Sequence, residues 1–212
     1  MAGYRDDAHC LPGVNLAVID VDEGIDLDTA KLLLIDYKYL MHTTKRHTNT
    51  EHRFRVIFPL SHVLKLNTVD YRTFMGNIYD WLPFKVDTQT DQQSRKWLCG
   101  APHYWYNDGK ILDALQFIPK TKKNEERINT LNKYQSLDHV QRWFLNSTNS
   151  GNRNNQLIRY SLMLVDSGRN YESIQDAVLD FNAKLPNSLP EDEIQSTVMR
   201  TVGKKIAIRD SL

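Results

Sequence analysis

The stretch that decides the fold is Ala17-Val18-Ile19-Asp20-Val21-Asp22-Glu23-Gly24, an apolar run that carries two aspartates one residue apart. Side chains two residues apart in a β-strand point to the same face of a sheet, so we expect Asp20 and Asp22 to lie side by side. Carboxylate oxygens at this spacing suit Mg²⁺ or Mn²⁺. A strand that ends in a solvated acidic turn would carry the same residues, so the choice depends on the rest of the chain.

The composition indicates a folded protein without a membrane span. The chain has 212 residues, of which 41% are hydrophobic, and its formal net charge is +1. No apolar run approaches the ~20 residues that cross a bilayer, and the first residues lack the basic and apolar segments of a secretory signal. We therefore expect a soluble, cytoplasmic protein with no membrane partner. Since the net charge is so small, a site for a polyanion must come from the local placement of basic residues.

The two cysteines, Cys10 and Cys99, are too few for a disulfide framework and fit a reducing compartment. With His9 and His103 they offer four possible zinc ligands. Adjacent histidine and cysteine ligands are an awkward geometry for one ion, however, so we expect free cysteines.

The first part of the chain predicts a mixture of strands and helices. Helices are expected over 28–41 and 68–81, because their apolar residues recur at helical spacing and each has a capping residue at its start. Strands are expected over 15–22, 53–60, 84–87, 95–98, 103–106 and 114–118. This irregular alternation favours an α+β fold with a mostly antiparallel sheet flanked by helices.

The last part of the chain predicts only helices. Helical spacing extends over 137–146, 152–167, 171–185 and 190–208. The polar, charged stretch 121–136 predicts a linker. We therefore expect a first domain over 1–120 and a small all-helical domain over 137–212.

A second cluster of candidate residues begins at His47. The strand that follows places Arg53 and Arg55 on one face, while Phe54 and Val56 line the other. Arginine binds phosphate oxygens in a bidentate manner, so a histidine and two arginines are a plausible cradle for a triphosphate. A surface strand with solvated arginines is the alternative interpretation.

A third cluster lies between Val86 and Leu98. Asp87 ends a short apolar segment and could bring a third carboxylate to a metal site. Arg95 and Lys96 are candidates for contacts with phosphate or a template strand. Taken alone, the segment is also compatible with a polar loop that has no function.

In this order, the three clusters resemble the archaeo-eukaryotic primase superfamily. That family has an apolar-Asp-apolar-Asp motif, a small-x-His motif before a strand, and a third apolar-Asp motif. The matching segments are Ile19-Asp20-Val21-Asp22, Lys45-Arg46-His47 and Val86-Asp87, with Lys45 in the small position. The likeness is nearest to the primase-polymerases of phages and mobile elements, where segments like 52–60 and 91–95 follow the second and third motifs.

The helical part carries a second resemblance, to the small domain that follows such catalytic units. Gly151-Asn152-Arg153-Asn154-Asn155 is similar to its G-x-R-N-N opening, and Pro190-Glu191-Asp192-Glu193 is similar to its Pro-x-x-Glu helix start. Asn182 corresponds to an asparagine that precedes the Leu-Pro turn of that domain. The expected fold is thus a primase-type catalytic unit followed by a helical primase C-terminal domain.

The resemblance implies a DNA primase or primase-polymerase of viral or plasmid origin, which makes primers on single-stranded DNA. It assigns Asp20, Asp22 and Asp87 to a two-metal site for Mg²⁺ or Mn²⁺. It assigns His47, with Arg53 or Arg55, to the incoming nucleoside triphosphate. The implied macromolecular partners are a template strand and a replicative helicase or polymerase.

The helical domain is the expected place for template contacts. Its basic candidates for the template backbone are Arg153, Arg159, Arg169, Lys204 and Lys205. The aromatic residues Trp143, Phe144 and Tyr160 could stack on bases. Because they recur at helical spacing, we expect them in the core instead.

Two other functions fit parts of this pattern. One is a replication-initiation module that binds DNA with the same fold but does not polymerise. The other is a metal-dependent nuclease, which shares the carboxylate chemistry. The three aspartates disfavour a pure DNA-binding module, because clustered acidic groups repel phosphate, and the arginines after His47 fit a triphosphate better than a scissile strand.

Overall fold

The computed structural model describes residues 4–10, 13–98, 103–133 and 138–211. The chain forms two compact units. Unit 1 comprises Met1–Glu23 and Leu34–Gln135, and unit 2 comprises Gly24–Leu33 and Ser136–Leu212. The short segment 24–33 therefore joins the helical unit, although it lies within the range expected for the first domain.

A four-stranded antiparallel sheet is the centre of unit 1. Its strands are β1 (Val14–Val21), β2 (Tyr39–Thr43), β3 (Phe54–Leu64) and β4 (Tyr104–Asn107). Their spatial order is β1-β3-β2-β4, so β3 and β2 are central and β4 lies at an edge. This α+β architecture with an antiparallel sheet agrees with the fold class predicted from the sequence.

One face of this sheet forms the core of unit 1. Fully buried apolar residues alternate along β1 and β3, as the two-residue period of a strand requires: Ala17, Ile19, Val21, Phe54, Val56 and Phe58. Edge-to-face contacts connect Phe58 through Trp81 and Phe117 to Phe74 of helix α2 (Thr68–Tyr79). The core is thus a continuous aromatic cluster between the sheet and α2.

The helix predicted over 28–41 is wrong in its second half. Helix α1 (Leu27–Leu33) is short, and the chain then forms strand β2. In β2 the buried residues are Tyr39, Met41 and Thr43, which alternate as in a strand. The apolar residues between 32 and 40 also fit a helical spacing, so the sequence did not distinguish the two conformations. Pairing with β3 on one side and β4 on the other outweighs the local helical spacing.

Three of the short predicted strands are also wrong, whereas the one over 103–106 is confirmed as β4. The segment 84–87 leads into a 3₁₀ turn at Thr88–Thr90, and 95–98 is not paired as a strand. The segment 114–118 begins with another 3₁₀ turn, Ala114–Gln116. The side chains of Asp87 and Asp113 accept backbone N–H bonds at the starts of these turns, which favours a turn over a strand.

The segment predicted as a linker contains helix α3 (Lys122–Lys133), which belongs to unit 1. Thr121 precedes it, and its hydroxyl accepts a hydrogen bond from the backbone N–H of Asn124. Asn124 is buried, and Arg127 lies over the ring of Phe117. A few favourable side chains thus hold a polar sequence in a helix. Residues 134–137 lie outside the described residues.

Unit 2 is helical, as predicted, and each of the four helical regions expected from the sequence is confirmed. Its elements are α1, α4 (His139–Ser147), α5 (Arg153–Asp166), α6 (Tyr171–Ala183), α7 (Glu191–Glu193), a π-helical stretch over Ile194–Met199, and α8 (Arg200–Arg209). Trp143, Phe144 and Tyr160 form a chain of ring contacts in its core and are at most 5% exposed. They are core residues, as expected, and their burial leaves no face for a nucleobase.

Helix α1 is part of the packing of unit 2. It contacts α5, and its residues Leu27, Ala30 and Leu33 are buried. The backbone N–H of Asp26, just before α1, donates to the carboxylate of Asp166 on α5, 3.4 Å away. Unit 2 therefore contains ten residues that the chain contributes before strand β2. None of the described helices is long and apolar enough to cross a membrane.

Candidate metal centre and nucleotide site

Three carboxylates come together at one end of the sheet. Asp20 lies near the end of β1, Asp22 follows that strand, and Asp87 lies in the segment after α2. One oxygen atom from each of the three lies within 4.8 Å of the others. Oxygen donors alone, at this separation, fit Mg²⁺ or Mn²⁺ better than zinc.

Backbone contacts position Asp87. Its N–H donates to the carbonyl of Asp20 at 2.9 Å, which joins the segment directly to β1. Its side chain accepts the N–H of Gln89 at 2.9 Å, and its carbonyl accepts the hydroxyl of Thr90 at 2.6 Å. The third carboxylate is therefore held by a turn, although the sequence analysis expected a strand there.

The environment of Asp20 disfavours an isolated negative charge. The residue is only 6% exposed, and this burial raises the pKa of its carboxyl above the ordinary value. The adjacent guanidinium of Arg55 opposes the shift, while the charges of Asp22 and Asp87 add to it. A divalent cation among these three carboxylates would relieve their mutual repulsion, so the donor set fits such an ion.

Arg55 is part of the carboxylate cluster. It lies directly opposite Asp20 in the pairing of β1 with β3, and its Nε donates to Oδ1 of Asp20 at 3.1 Å. Its Nη1 donates to the carbonyl of Leu98 at 2.9 Å, and the guanidinium lies 5.0 Å from the ring centre of Trp97. The sequence predicts this arginine at a phosphate, whereas in the fold it also offsets the charge of Asp20.

Arg53 lies beside Asp22, and His47 contacts the backbone of Arg53. Nη1 of Arg53 is 3.5 Å from Oδ1 of Asp22, and the backbone N–H of Arg53 donates to Nδ1 of His47 at 3.1 Å. Because Nδ1 accepts this bond, the neutral ring carries its proton on Nε2. Burial, together with the nearby His52 and His103, lowers the pKa of His47. A neutral imidazole with a donor at Nε2 can bind a phosphate oxygen.

Arg95 and Lys96 lie on the loop that contains Trp97, and both are exposed. The guanidinium of Arg95 is 5.7 Å from the ring centre of Trp97, so Arg55 and Arg95 contact the same indole. The structure thus brings Arg95 close to the carboxylate cluster through Trp97. Cys99, named as a possible zinc ligand, lies outside the described residues.

The register of the sheet identifies further residues that the sequence analysis missed. Arg55 lies opposite His42 on β2, and His42 lies opposite Tyr104 on β4. The row Asp20–Arg55–His42–Tyr104 therefore crosses all four strands on one face. His42 was hidden because it follows directly on a segment predicted as a helix. The alternation of Tyr104 and Tyr106 was a detectable signal.

Some of the basic residues of unit 2 that are expected to contact a template have side chains bonded to other residues of the same unit. Nη1 of Arg153 donates to the carbonyl of Asn187 at 2.6 Å, and Nζ of Lys205 is 3.3 Å from Asp26. Arg159 is half-buried on α5, whereas Lys204 on α8 and Arg169 before α6 are exposed. Of the named candidates, Lys204 and Arg169 are therefore the ones that are exposed.

Several residues of the helical motif hold the loops of unit 2. The buried side chain of Asn182 donates to the carbonyl of Leu189 at 3.0 Å and accepts its N–H at 2.8 Å. The side chain of Asn152 bonds the backbone of Ser147 and Asn149. These contacts give a physical reason for asparagine at both positions of the motif.

Residues 141–199, within unit 2, match the family model described as Primase C terminal 1 (PriCT-1). This part of the chain is therefore similar to a primase-associated C-terminal domain, as the helical motifs predicted. The match indicates a primase-related function in replication. No curated protein and no solved structure matches the chain.

Proposed function

We propose that this protein is a template-dependent nucleotidyltransferase that synthesises primers on single-stranded DNA, a DNA primase or primase-polymerase. The observation that carries the proposal is the convergence of Asp20, Asp22 and Asp87 within 4.8 Å. The match of residues 141–199 to a primase C-terminal family supports the same reading of the chain. The substrates are nucleoside triphosphates and a template strand, and a replicative helicase or polymerase is the expected partner.

Asp20, Asp22 and Asp87 would hold Mg²⁺ or Mn²⁺. When bound, two such ions activate a 3′-hydroxyl and stabilise the charge on the departing pyrophosphate. Arg55 keeps Asp20 oriented through its Nε bond and offsets part of the negative charge. The protein therefore supplies a fixed set of oxygen ligands and needs no nucleophile of its own.

The incoming triphosphate would lie against His47 and Arg53. Nδ1 of His47 accepts the backbone N–H of Arg53, and this bond leaves Nε2 as a donor for a phosphate oxygen. The guanidinium of Arg53 lies next to Asp22, so the phosphate contacts and the carboxylates are neighbours. Arg95, above Trp97, is a second cation for the same phosphates.

Primer synthesis tests the proposal directly. The full chain is incubated with single-stranded DNA, labelled nucleoside triphosphates and either Mg²⁺ or Mn²⁺, beside the variants Asp20→Asn, Asp22→Asn and Asp87→Asn. We expect short products from the wild type and a loss of at least about 100-fold in each variant, because the ions lose a ligand. Glu23→Gln, which changes an exposed neighbouring carboxylate, should keep near-normal activity.

Metal binding gives a separate readout. Titration with Mn²⁺ in the calorimeter should show binding to the wild type and to Glu23→Gln, with much weaker binding to the three asparagine variants. Full primer synthesis by Asp20→Asn would contradict the proposed role of the carboxylates.

Two results would favour the other functions. Salt-sensitive DNA binding with no product under any condition would indicate a replication-initiation module. Cleavage of DNA in the absence of nucleotides would indicate a nuclease, because a transferase cannot act without its triphosphate.

A further inference from the structure

One face of the sheet in unit 1 is open beside the carboxylate cluster. We define this open face by two rows of cross-strand neighbours. The first row is Asp20, Arg55, His42 and Tyr104, and the second is Val18, Ile57, Leu40 and Tyr106. The opposite face carries the buried core. The open face is accessible at β4, whereas toward β1 its residues are half-buried or buried, and Trp97 and Leu98 lie against Arg55.

The tyrosines of β4 are the most exposed part of this face. Tyr104 is 76% exposed and Tyr106 is 63% exposed, although aromatic side chains usually gain from burial. The hydroxyl of Tyr106 donates to Asp108, which also pairs with Lys38, so this ring is held in place. Exposed, ordered aromatic rings on the face of an antiparallel sheet are a common platform for unpaired bases.

The spacing of the two rings fits a strand of nucleic acid. Residues two apart in a strand are separated by about 7 Å along it, so the two rings lie side by side on one face. A single nucleobase can stack on one of them, whereas two successive bases of an extended strand can use both. The pair therefore fits single-stranded nucleic acid better than a free nucleotide.

Position and charge connect these rings to the proposed site. Tyr104 lies three strands from Asp20, about 14 Å at the usual distance between strands. His42 and Arg55 lie between them, and the exposed Lys45 and Arg46 follow β2 just beyond His42. The end of β2 lies at the same end of the sheet as the carboxylates, and exposed basic side chains there suit a phosphate backbone and do not suit an apolar protein surface.

We infer that Tyr104 and Tyr106 stack successive bases of the single-stranded DNA that the site uses, an inference that rests on the proposed function. The strand crosses the open face from β4 toward Asp20, with its phosphates near the basic residues after β2. Each ring supplies an apolar surface that tolerates any base, because every base has a π-face. The open face is thus a template platform in unit 1, separate from the basic residues of unit 2.

DNA binding without nucleotide or divalent cation tests this inference apart from catalysis. The Kd of the full chain for a labelled oligo(dT) is measured by fluorescence anisotropy, for the wild type, Tyr104→Ala, Tyr106→Ala and the double variant. We expect each single change to raise the Kd about fivefold or more, and the double change about 25-fold or more. Tyr104→Phe/Tyr106→Phe should restore most of the affinity, because the rings return.

Three controls separate stacking from other causes. Tyr4→Ala removes an equally exposed tyrosine outside the open face and should leave the Kd within twofold of the wild type. An abasic strand of the same length should bind the wild type and the double alanine variant equally, because only the bases are missing. Far-UV circular dichroism of each variant should match the wild type.

The inference would be overturned by an unchanged Kd for the double alanine variant. It would also be overturned if the variants weakened only the binding of a nucleoside triphosphate, or if they converted a wild-type dimer into a monomer in sedimentation. An effect on triphosphate binding alone would make the rings a nucleotide site. Loss of a dimer would make them an interface between copies of the chain. Failure of primer synthesis alone, with tyrosine-dependent DNA binding intact, would count against the proposed function and not against the platform.

Discussion

Arg55 is the side chain on which the charge balance of the candidate metal centre depends. Three carboxylates share one end of the sheet, and Arg55 bonds the most buried of them, Asp20. Arg53 pairs with Asp22, so two guanidiniums face three carboxylates, and the cluster keeps one excess negative charge. We therefore expect this excess charge to favour the binding of a divalent cation, with Arg55 offsetting part of the charge on Asp20.

His47 is expected to act on the nucleotide and not on the metal. Replacing His47 by alanine removes the Nε2 donor and the acceptor for the backbone N–H of Arg53. We expect the apparent KM for nucleoside triphosphate to rise about tenfold or more, because one phosphate contact is lost. Primer synthesis at increasing triphosphate concentration measures this, with Mn²⁺ affinity as the second readout.

His52→Ala is the matched control for this prediction, because its ring lies 5.3 Å from that of His47 but bonds the carbonyl of Asn49. It should change the KM by less than threefold. An unchanged KM for His47→Ala would remove the histidine from the nucleotide site.

Because the carboxyl of Asp166 is buried, we expect the stability of unit 2 to depend on pH. Its side chain is 6% exposed, and burial raises the pKa of its carboxyl, against the opposing effects of Thr29 and Lys205. A carboxyl with a raised folded pKa binds its proton more tightly in the folded state. Its contribution to stability is therefore greatest at low pH and falls as the pH rises from about 4, the unfolded value, through the folded value.

Asp166→Asn removes this titration while it keeps an oxygen for the backbone N–H of Asp26. The free energy of unfolding of the wild type, minus that of the variant, should fall as the pH rises above about 4. Urea unfolding at a series of pH values measures the difference. Asp176→Asn, an exposed change on α6, should give a curve parallel to the wild type. A flat difference for Asp166→Asn would contradict the prediction.

Sequence alone predicted the identity of the candidate site residues better than their contacts. Asp20 and Asp22 followed from the two-residue period of a strand, and Asp87 followed from the resemblance. The bond between Arg55 and Asp20 could not be predicted, because it depends on the register of β1 with β3. Register is set by pairing between distant segments, and a single sequence contains no direct record of it.

At the level of elements, local spacing predicted the helices of unit 2 and the edge strand β4 well, but it missed the central strand β2. The helices carry caps at Asp138 and Asn170 and a continuous apolar stripe, which are local signals. Strand β2 is short, and its neighbours β3 and β4 decide its conformation. A five-residue strand between two partners is therefore the kind of element that its own sequence does not reveal.

Gly109 and Gly76 predict opposite effects of the same substitution. A Cβ at Gly109 would lie 2.6 Å from the carbonyl oxygen of Asp36, where the chain after β4 bonds to the segment before β2. Gly109→Ala should therefore destabilise the protein by about 1–3 kcal/mol. A Cβ at Gly76, within α2, meets no atom within 4 Å apart from its chain neighbours and the backbone of its own helix, so Gly76→Ala should stabilise the protein by about 0.5–1 kcal/mol.

Urea unfolding of both variants beside the wild type measures this pair. Equal midpoints for the two alanine variants would show that the contact of Gly109 with the chain before β2 does not constrain the fold.

At the level of the whole molecule, the chain passes from unit 1 into unit 2 and back before it forms β2. Unit 2 therefore needs residues 24–33 to cover α5 and to pair Asp26 with Lys205. A fragment of residues 136–212 should be less stable than the same fragment with 24–33 joined through a flexible linker. We expect the longer fragment to melt about 5 °C or more higher, since it regains buried apolar surface.

The matched control joins a scrambled version of 24–33 through the same linker. Its melting temperature should equal that of the fragment 136–212 alone, because the same composition in another order does not restore the buried face of α1. Identical melting of all three fragments would show that α1 adds nothing to the stability of unit 2.

The detour of the chain through α1 also limits how such a protein can exchange parts during evolution. Recombination near residue 136 would bring a new α5 and α8 from another parent but would keep the old α1. Lys205 and Asp166 from the second parent would then have to form their contacts with Asp26 from the first parent. Viable chimaeras are therefore expected to inherit both segments from the same ancestor, even though more than a hundred residues separate them in the gene.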